Sequence, residues 1–303
     1  MSFINSILGA KYFPVRSLFV LLIHTSMLVN VIASLFVLLI LSVIWHDPNN
    51  LTLGNIMLYI LLFSVIVSVI RIFIETKLSL KANKLYRQGN ELFKQETVTS
   101  KIQTISIFEQ ALLLYQKTNY QIWAAITLNN IGLVYNALEE KQTALDYFNK
   151  SLNLFQEMKN FLGEAMSLNN IGLVYDALEE KRIALDYFNQ SLDLSRTIQD
   201  RETIAKTFYN LAVLKYNQGN LNEALTKIES AINIIEEFDT AIIITNLSKS
   251  YFATVKNYYQ FYIDLLVTLH QQNPNQGYDI KASEVIEKLK NLERNLTIIS
   301  GDP

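Results

Sequence analysis

Two pairs of asparagines, Asn129-Asn130 and Asn169-Asn170, stand 40 residues apart, and Asn210 follows at the next step. A primary amide offers two donors and two acceptor lone pairs, so such a series can hold the backbone of an extended chain or tie neighbouring helices together. It transfers no proton and attacks nothing. The rest of the inventory is equally poor in catalytic groups. The chain has no Cys, and its His residues are His24, His46 and His270, which removes disulfides, thiolate metal sites and cysteine nucleophiles. Its 9 glycines form neither a G-x-x-x-x-G-K loop nor a G-x-G-x-x-G fingerprint, and no metal-ligand cluster is visible. A formal net charge of −2 over 303 residues lacks the basic face that phosphates require. We therefore expect a binding protein: no enzyme, no cofactor, no metal and no nucleic acid.

The asparagines lie inside a segment written twice, TLNNIGLVYNALEEKQTALDYFNKSLNL from Thr127 and SLNNIGLVYDALEEKRIALDYFNQSLDL from Ser167, identical at 22 of 28 positions. A constant period of this size signals stacked supersecondary units. Within each copy, apolar residues recur at helical spacing (Leu128, Ile131, Leu133, Tyr135, then Ala144, Leu145, Tyr147, Phe148, Leu152), broken by Glu139-Glu140-Lys141. Each unit is thus two antiparallel helices. Gly132 and Gly172 fall inside the first helix, where glycine costs about 1 kcal/mol against alanine, so close helix packing is expected there. The turn residues, repeated at Glu179-Glu180-Lys181, read as solvated.

The N-terminal quarter has a different composition. Phe19 to Trp45 carries no formal charge, and at about 1.5 Å per residue it exceeds the roughly 30 Å hydrocarbon core. After the polar break His46–Asn50, a second apolar run extends from Leu51 to about Ile74, interrupted by Arg71. We expect an uncleaved two-helix transmembrane hairpin, because the first run is far longer than a signal-peptide core and no clear cleavage site follows. Lys11 and Arg16 precede the first run and Arg71, Lys77, Lys81, Lys84 and Arg87 flank the second, with none between. That bias places both termini on the cytoplasmic or stromal side. Of the polar groups in or near the spans (His24, Asn30, Arg71, Glu75), Arg71 and Glu75 read as an interfacial pair one helical turn apart.

The repeat pattern resembles the tetratricopeptide repeat (TPR), in which a small residue and an aromatic in helix A pack against Ala, aromatic and small positions in helix B. Here these are Gly132, Tyr135, Ala144, Phe148 and Ser151, then Gly172, Tyr175, Ala184, Phe188 and Ser191. A third copy from Thr207 keeps Ala212, Ala224, Ile228 and Ala231, with Gly219 in its turn. A divergent first copy places Gly89, Phe108 and Ala111. The 40-residue step is longer than the usual one and is similar to the kinesin-light-chain type. The resemblance implies an all-α fold: residues 1–18 as a cytoplasmic N-terminus, 19–75 as the hairpin, and 76–240 as a TPR solenoid with repeats near 82–118, 125–158, 165–198 and 205–238. Residues 241–303 then form capping helices, with a stripe at Tyr251, Val255, Tyr258, Tyr259, Tyr262, Leu265, Leu266 and Leu269 that covers the open end of the stack.

The resemblance also implies a role for the asparagines. In related proteins, asparagines at the position of Asn130, Asn170 and Asn210 form a ladder on the concave face and grip a bound peptide backbone. Asn129, Leu133 and Asn136, then Asn169, Leu173 and Asp176, then Tyr209 and Val213 are expected around them, with Ile126, Met166, Lys206 and Tyr216 on the same side. The C-terminal segment resembles the connector that precedes the CHAT protease module in cyanobacterial proteins. The sequence stops at Pro303, about where such a module would start, and without Cys its catalytic pair has no position to occupy. The expected function is a membrane-anchored scaffold, in a plasma or thylakoid membrane, that holds a protein or extended peptide; its oligomeric state is open. Two alternatives stand beside it: a thylakoid photosystem assembly factor of the same class and, in another class, a regulatory or substrate-presenting subunit of a separately encoded CHAT-type protease.

Overall fold

The computed structural model describes residues 53–246 and 249–300, and every described α or 3₁₀ element is helical. The chain divides into two compact units, residues 1–81 and 82–303. Helix α1 (Leu53–Phe93) starts in the first and ends in the second, and its part in the first unit presents Leu61, Leu62, Val65, Val67, Val69 and Ile72 to its surroundings. The hydroxyls of Ser64, Ser68 and Thr76 donate to carbonyls three or four residues back, so these polar groups are satisfied within the helix. Arg71 Nε donates to Glu75 Oε1 at 2.8 Å, as the spacing predicts. Among the described residues no helix is long and apolar enough to cross a membrane. The expected first span, 19–45, lies outside the described residues, and the expected second span overlaps the start of α1.

The second unit is a run of antiparallel helices. After α1 come α2 (Val98–Lys117), α3 (Gln121–Ala137), α4 (Lys141–Glu157), α5 (Phe161–Ala177), α6 (Lys181–Thr197), α7 (Arg201–Asn217) and α8 (Leu221–Asn246). From α3 to α7 each helix has 17 residues and each link three, so two helices and two links make up the 40-residue step. The middle residue of six successive links is left-handed: Asn119, Glu139, Lys159, Glu179, Gln199 and Gly219. Around it the chain closes the same pair of bonds each time, for example Glu140 N to Tyr135 O at 3.0 Å and Glu139 N to Asn136 O at 3.1 Å. This is the Schellman arrangement, which satisfies the orphan carbonyls at a helix end. Identical links produce identical helix reversals, which makes the stack regular.

Pairing within each repeat follows the small-residue positions. A Cβ placed on Gly132 would meet the Phe148 ring at 2.7 Å, one on Gly172 the Phe188 ring at 2.7 Å, and one on Gly89 the Phe108 ring at 2.5 Å. The missing side chain is what admits the aromatic. In the third regular repeat Ala212 stands in the glycine position and Ile228 in the aromatic one, both fully buried: a methyl is gained on one helix and bulk lost on the other, keeping the volume. Ser151 and Ser191 donate to the carbonyls of Ala125 and Ala165 at 2.8 Å, which suits a small polar residue where helices nearly touch.

Past α8, helix α9 (Lys249–Gln272) buries Val255, Tyr258, Tyr259, Tyr262, Leu265, Leu266 and Leu269 in one cluster with Ile228 and Ile235. A 3₁₀ turn, Pro274–Gln276, and left-handed Gly277 lead into α10 (Tyr278–Ser300). From Val255 to Leu269 the apolar stripe expected at this end is therefore packed onto the last repeat, and the Tyr251 side chain lies outside the described residues.

Candidate functional site

The first helices of successive repeats, α3, α5 and α7, are joined by an amide ladder. Asn170 Nδ2 donates to Asn129 Oδ1 at 2.9 Å, and Asn210 Nδ2 donates to Asn169 Oδ1 at 2.9 Å. All four side chains are buried. The donor comes from the second asparagine of one repeat and the acceptor from the first of the preceding repeat, 41 residues back. Upstream the same slot is filled by Asn130, whose Nδ2 donates to Tyr86 Oη at 2.8 Å. Downstream it is filled by Tyr209 and Tyr258, whose rings stack at 4.3 Å between centroids. Each bond in the low-dielectric interior spares a buried amide its desolvation penalty. Two ladder groups are left over among the described residues: Asn169 Nδ2 and Asn170 Oδ1 are buried without a partner.

The remaining expected site residues lie beside this ladder. Asn130, Leu133 and Asn136, then Leu173 and Asp176, then Tyr209 and Val213 are each half-buried, at equivalent positions of neighbouring repeats. Two are engaged from the next helix: Lys141 Nζ donates to Asn136 Oδ1 at 3.0 Å and Lys181 Nζ to Asp176 Oδ1 at 3.4 Å. Tyr209 also meets Phe261 edge-on at 5.6 Å, as does Tyr216 at 5.7 Å, so α9 closes the ladder's last rung. Burial raises the Tyr209 phenol above the ordinary tyrosine range and lowers the Lys206 ammonium below that of a free lysine, with Glu202 acting in the opposite sense. The lining is mixed apolar and amide, with Leu133, Leu173 and Val213 as its regular apolar row.

One polar site is not anticipated by the repeat pattern. A cleft of about 300 Å³ is lined by Glu229 and Glu236 of α8, Tyr259 and Tyr262 of α9, and Lys281 and Lys288 of α10. Tyr262 Oη donates to Glu229 at 2.9 Å and Tyr259 Oη to Glu236 at 3.0 Å, while Lys281 and Lys288 pair with the same two carboxylates. Burial and the Glu229 charge raise the Tyr262 phenol well above its usual range. The matched seven-residue spacings, Glu229 to Glu236 and Lys281 to Lys288, are the signal in the sequence. The groups satisfy one another, and the cluster clamps α10 to α8. Among the described residues no group of three His, Asp or Glu side chains converges to hold a metal ion.

Family models described as tetratricopeptide repeat match residues 102–157 and 165–198. These segments are tetratricopeptide repeats. Solved structures with the same fold include a Rap protein complexed with Competence and Sporulation Factor (TM-score 0.54, 19% identity, 71% of this chain and 55% of that one). Another is aspartyl phosphate phosphatase F from Bacillus subtilis (TM-score 0.50, 14% identity, 74% and 64%). A putative kinesin light chain with TPR-like repeats from Podosopora anserina aligns at TM-score 0.46 and 14% identity, over 70% of this chain and 96% of that one. This chain spans 55% and 64% of the length of the first two, and at these identities the likeness is one of fold. No curated protein is significantly similar to the chain in sequence.

Proposed function

We propose that this chain is a membrane-tethered TPR scaffold whose concave face holds an extended segment of a partner protein. The observation that carries the reading is the register of the first helices. The buried amide ladder fixes successive helices one repeat apart, so Leu133, Leu173 and Val213 form one half-buried row beside Asn136 and Asp176. A row of this kind suits a ligand that alternates apolar side chains with backbone amides. The Rap protein solved with Competence and Sporulation Factor supports the reading in kind, as a repeat stack of this fold with a bound factor.

The tether rests on the apolar runs 19–45 and 51–74 and on the exposed apolar side chains of α1. A hairpin anchor raises the effective concentration of the groove's ligand toward other membrane proteins. Photosystem assembly is a narrower form of this role, and presentation to a separate protease is the alternative to it. The test is affinity capture from native membranes with two sets of full-length variants. Leu133→Glu with Leu173→Glu should lose the captured partner, whereas Asp186→Ala with Asn189→Ala, exposed on the second helix of the repeat, should keep it. Equal capture by both sets contradicts the groove.

A further inference from the structure

Helix α10 is held in a different way from the helices of the repeats. Those pair through buried Gly–Phe or Ala–Ile contacts, whereas α10 reaches α8 by charge. Glu229 and Glu236 stand seven residues apart on α8, about 10 Å along one face, and Lys281 and Lys288 stand at the same spacing on α10 to meet them. Tyr262 and Tyr259 of α9 lie between the two helices and donate to the same carboxylates at 2.9 and 3.0 Å. Burial raises the Tyr262 phenol, and the charges of Glu229, Glu236 and Glu284 add to the shift, so its hydroxyl remains a donor at neutral pH.

Three features make this seat separable from its occupant. The apolar hold is small: among the described residues α10 buries Ala282, Val285 and Leu289, with Tyr278, Ile286 and Leu292 packed at the margin. The remaining contacts are ionic and half-exposed, Lys256 to Glu293 at 2.8 Å among them, with the His270 ring 3.7 Å from Asp279; salt screens pairs of this kind. The fit is also incomplete. Between the two Glu–Lys pairs a cleft of about 300 Å³ remains, with Ile232 and Asn233 of α8 on one side and Glu284 and Val285 of α10 on the other. Finally, the connection is an unencumbered turn. Pro274–Gln276 buries no residue, and a Cβ added at Gly277, where φ is 72°, would meet nothing within 4 Å.

We propose that the face built by Glu229, Glu236, Tyr259 and Tyr262 is a docking seat for an amphipathic helix that presents two lysines seven residues apart, and that α10 is its displaceable internal occupant. A partner helix with lysines at both posts makes the same polar contacts, and an apolar residue larger than valine between them fills the cleft. The seat outlasts the departure of α10, because α9 is held separately by the cluster it shares with Ile228 and Ile235. It is also distinct from the groove: Tyr258 and Phe261 of α9 pack toward α7, while Tyr259 and Tyr262 bond to α8 beneath α10.

The probe is a fluorescein-labelled peptide of residues 278–294, added to the full chain in detergent at low salt and followed by anisotropy. A tethered helix has the advantage of effective concentration over a free one, so the peptide should bind severalfold tighter to a chain carrying Lys281→Gln with Lys288→Gln, whose own α10 is weakened. Binding to that chain should fall severalfold when the peptide carries the same two changes, and rise when the peptide carries Val285→Leu. It should be lost on a chain with Glu229→Gln and Glu236→Gln, although that chain loosens its own α10 too, which separates the seat from uptake by detergent. No binding to the lysine-variant chain while its helicity is unchanged overturns the proposal. Binding that ignores the residues at 281 and 288 of the peptide, or that survives on the glutamine-substituted seat, overturns it as well.

Discussion

The interior of the stack and its two ends solve one packing problem with different chemistry. Between the regular repeats, the slot where successive first helices meet is filled by an Asn–Asn bond at 2.9 Å, twice over. At the N-terminal end an asparagine meets a tyrosine hydroxyl, and at the C-terminal end two tyrosine rings stack. An amide pair demands matched partners in fixed geometry, which identical repeats supply at no further cost. Where the neighbour is α9, which does not follow the repeat, a ring stack needs only surface and tolerates a change of register. The Gly–Phe pairs, by contrast, run from Gly89–Phe108 at the N-terminal end through the interior, and the pair changes to Ala212–Ile228 at the last repeat alone.

The comparison is broken most severely at the acceptor. Asn169→Ala strands the buried Nδ2 of Asn210 and should destabilise the chain by about 2 kcal/mol, read from urea unfolding in detergent. The double change Asn169→Leu with Asn210→Leu should recover part of that loss, because neither amide of the pair is left buried without the other, and the Thr207 hydroxyl keeps its bond to Thr203 O. A double variant as unstable as the sum of its singles would remove the ladder as a coupled pair.

Gly172→Ala sets a gain in helix propensity against a 2.7 Å contact with Phe188 and should cost about 1 kcal/mol net. Combining it with Phe188→Ile, which recreates the Ala–Ile pair of the third repeat, should restore the melting temperature toward that of the Phe188→Ile chain alone. Absence of any coupling between the two sites would show that the glycine serves another purpose.

How much of this was legible in the residues differs by element. Gly132 and Phe148 sit at the spacing that predicts close helix packing, and the structure places them in contact. The apolar stripe of α9 is likewise readable from Val255 to Leu269. The partner of each asparagine was not, since Asn170 meets Asn129 and not Asn130: the offset of one residue arises from the rotation of each repeat on the last, which no local pattern records. Nor were the left-handed links, because glycine, the usual sign, is present only at Gly219, while Glu139 and Glu179 adopt the same conformation through the bonds around them.

That hidden feature gives a smaller and opposite effect. Glu179 holds φ 63°, a conformation costing a non-glycine residue about 1 kcal/mol or more. Glu179→Gly should stabilise the chain by about 0.5 kcal/mol after the added unfolded-state entropy, seen as a slightly raised urea midpoint. A lowered midpoint would mean that the Glu179–Lys181 ion pair at 2.9 Å outweighs the backbone.

The smallest effect separates the N-terminal end from the middle by pH. Burial raises the Tyr115 phenol to about 12, above the ordinary value near 10. A raised folded-state value contributes stability that is complete below about pH 10 and is lost as pH climbs toward 12. Burial raises the Tyr175 phenol of α5 as well, but that ring is half-buried where Tyr115 is fully buried, so hydrogen exchange across that window should show α2 opening before α5. Uniform opening would erase this distinction between the N-terminal end and the middle.

The central claim, that the row beside the ladder holds a partner, is tested most directly by photo-crosslinking in native membranes. A benzophenone side chain placed at Leu173 and, separately, at Asp186 probes the groove and the outer face of one repeat. The account predicts a single crosslinked product at 173 that is absent at 186 and is lost when Leu133→Glu is added. The same product at both positions, or none at 173 while the chain remains folded and membrane-bound, would contradict it.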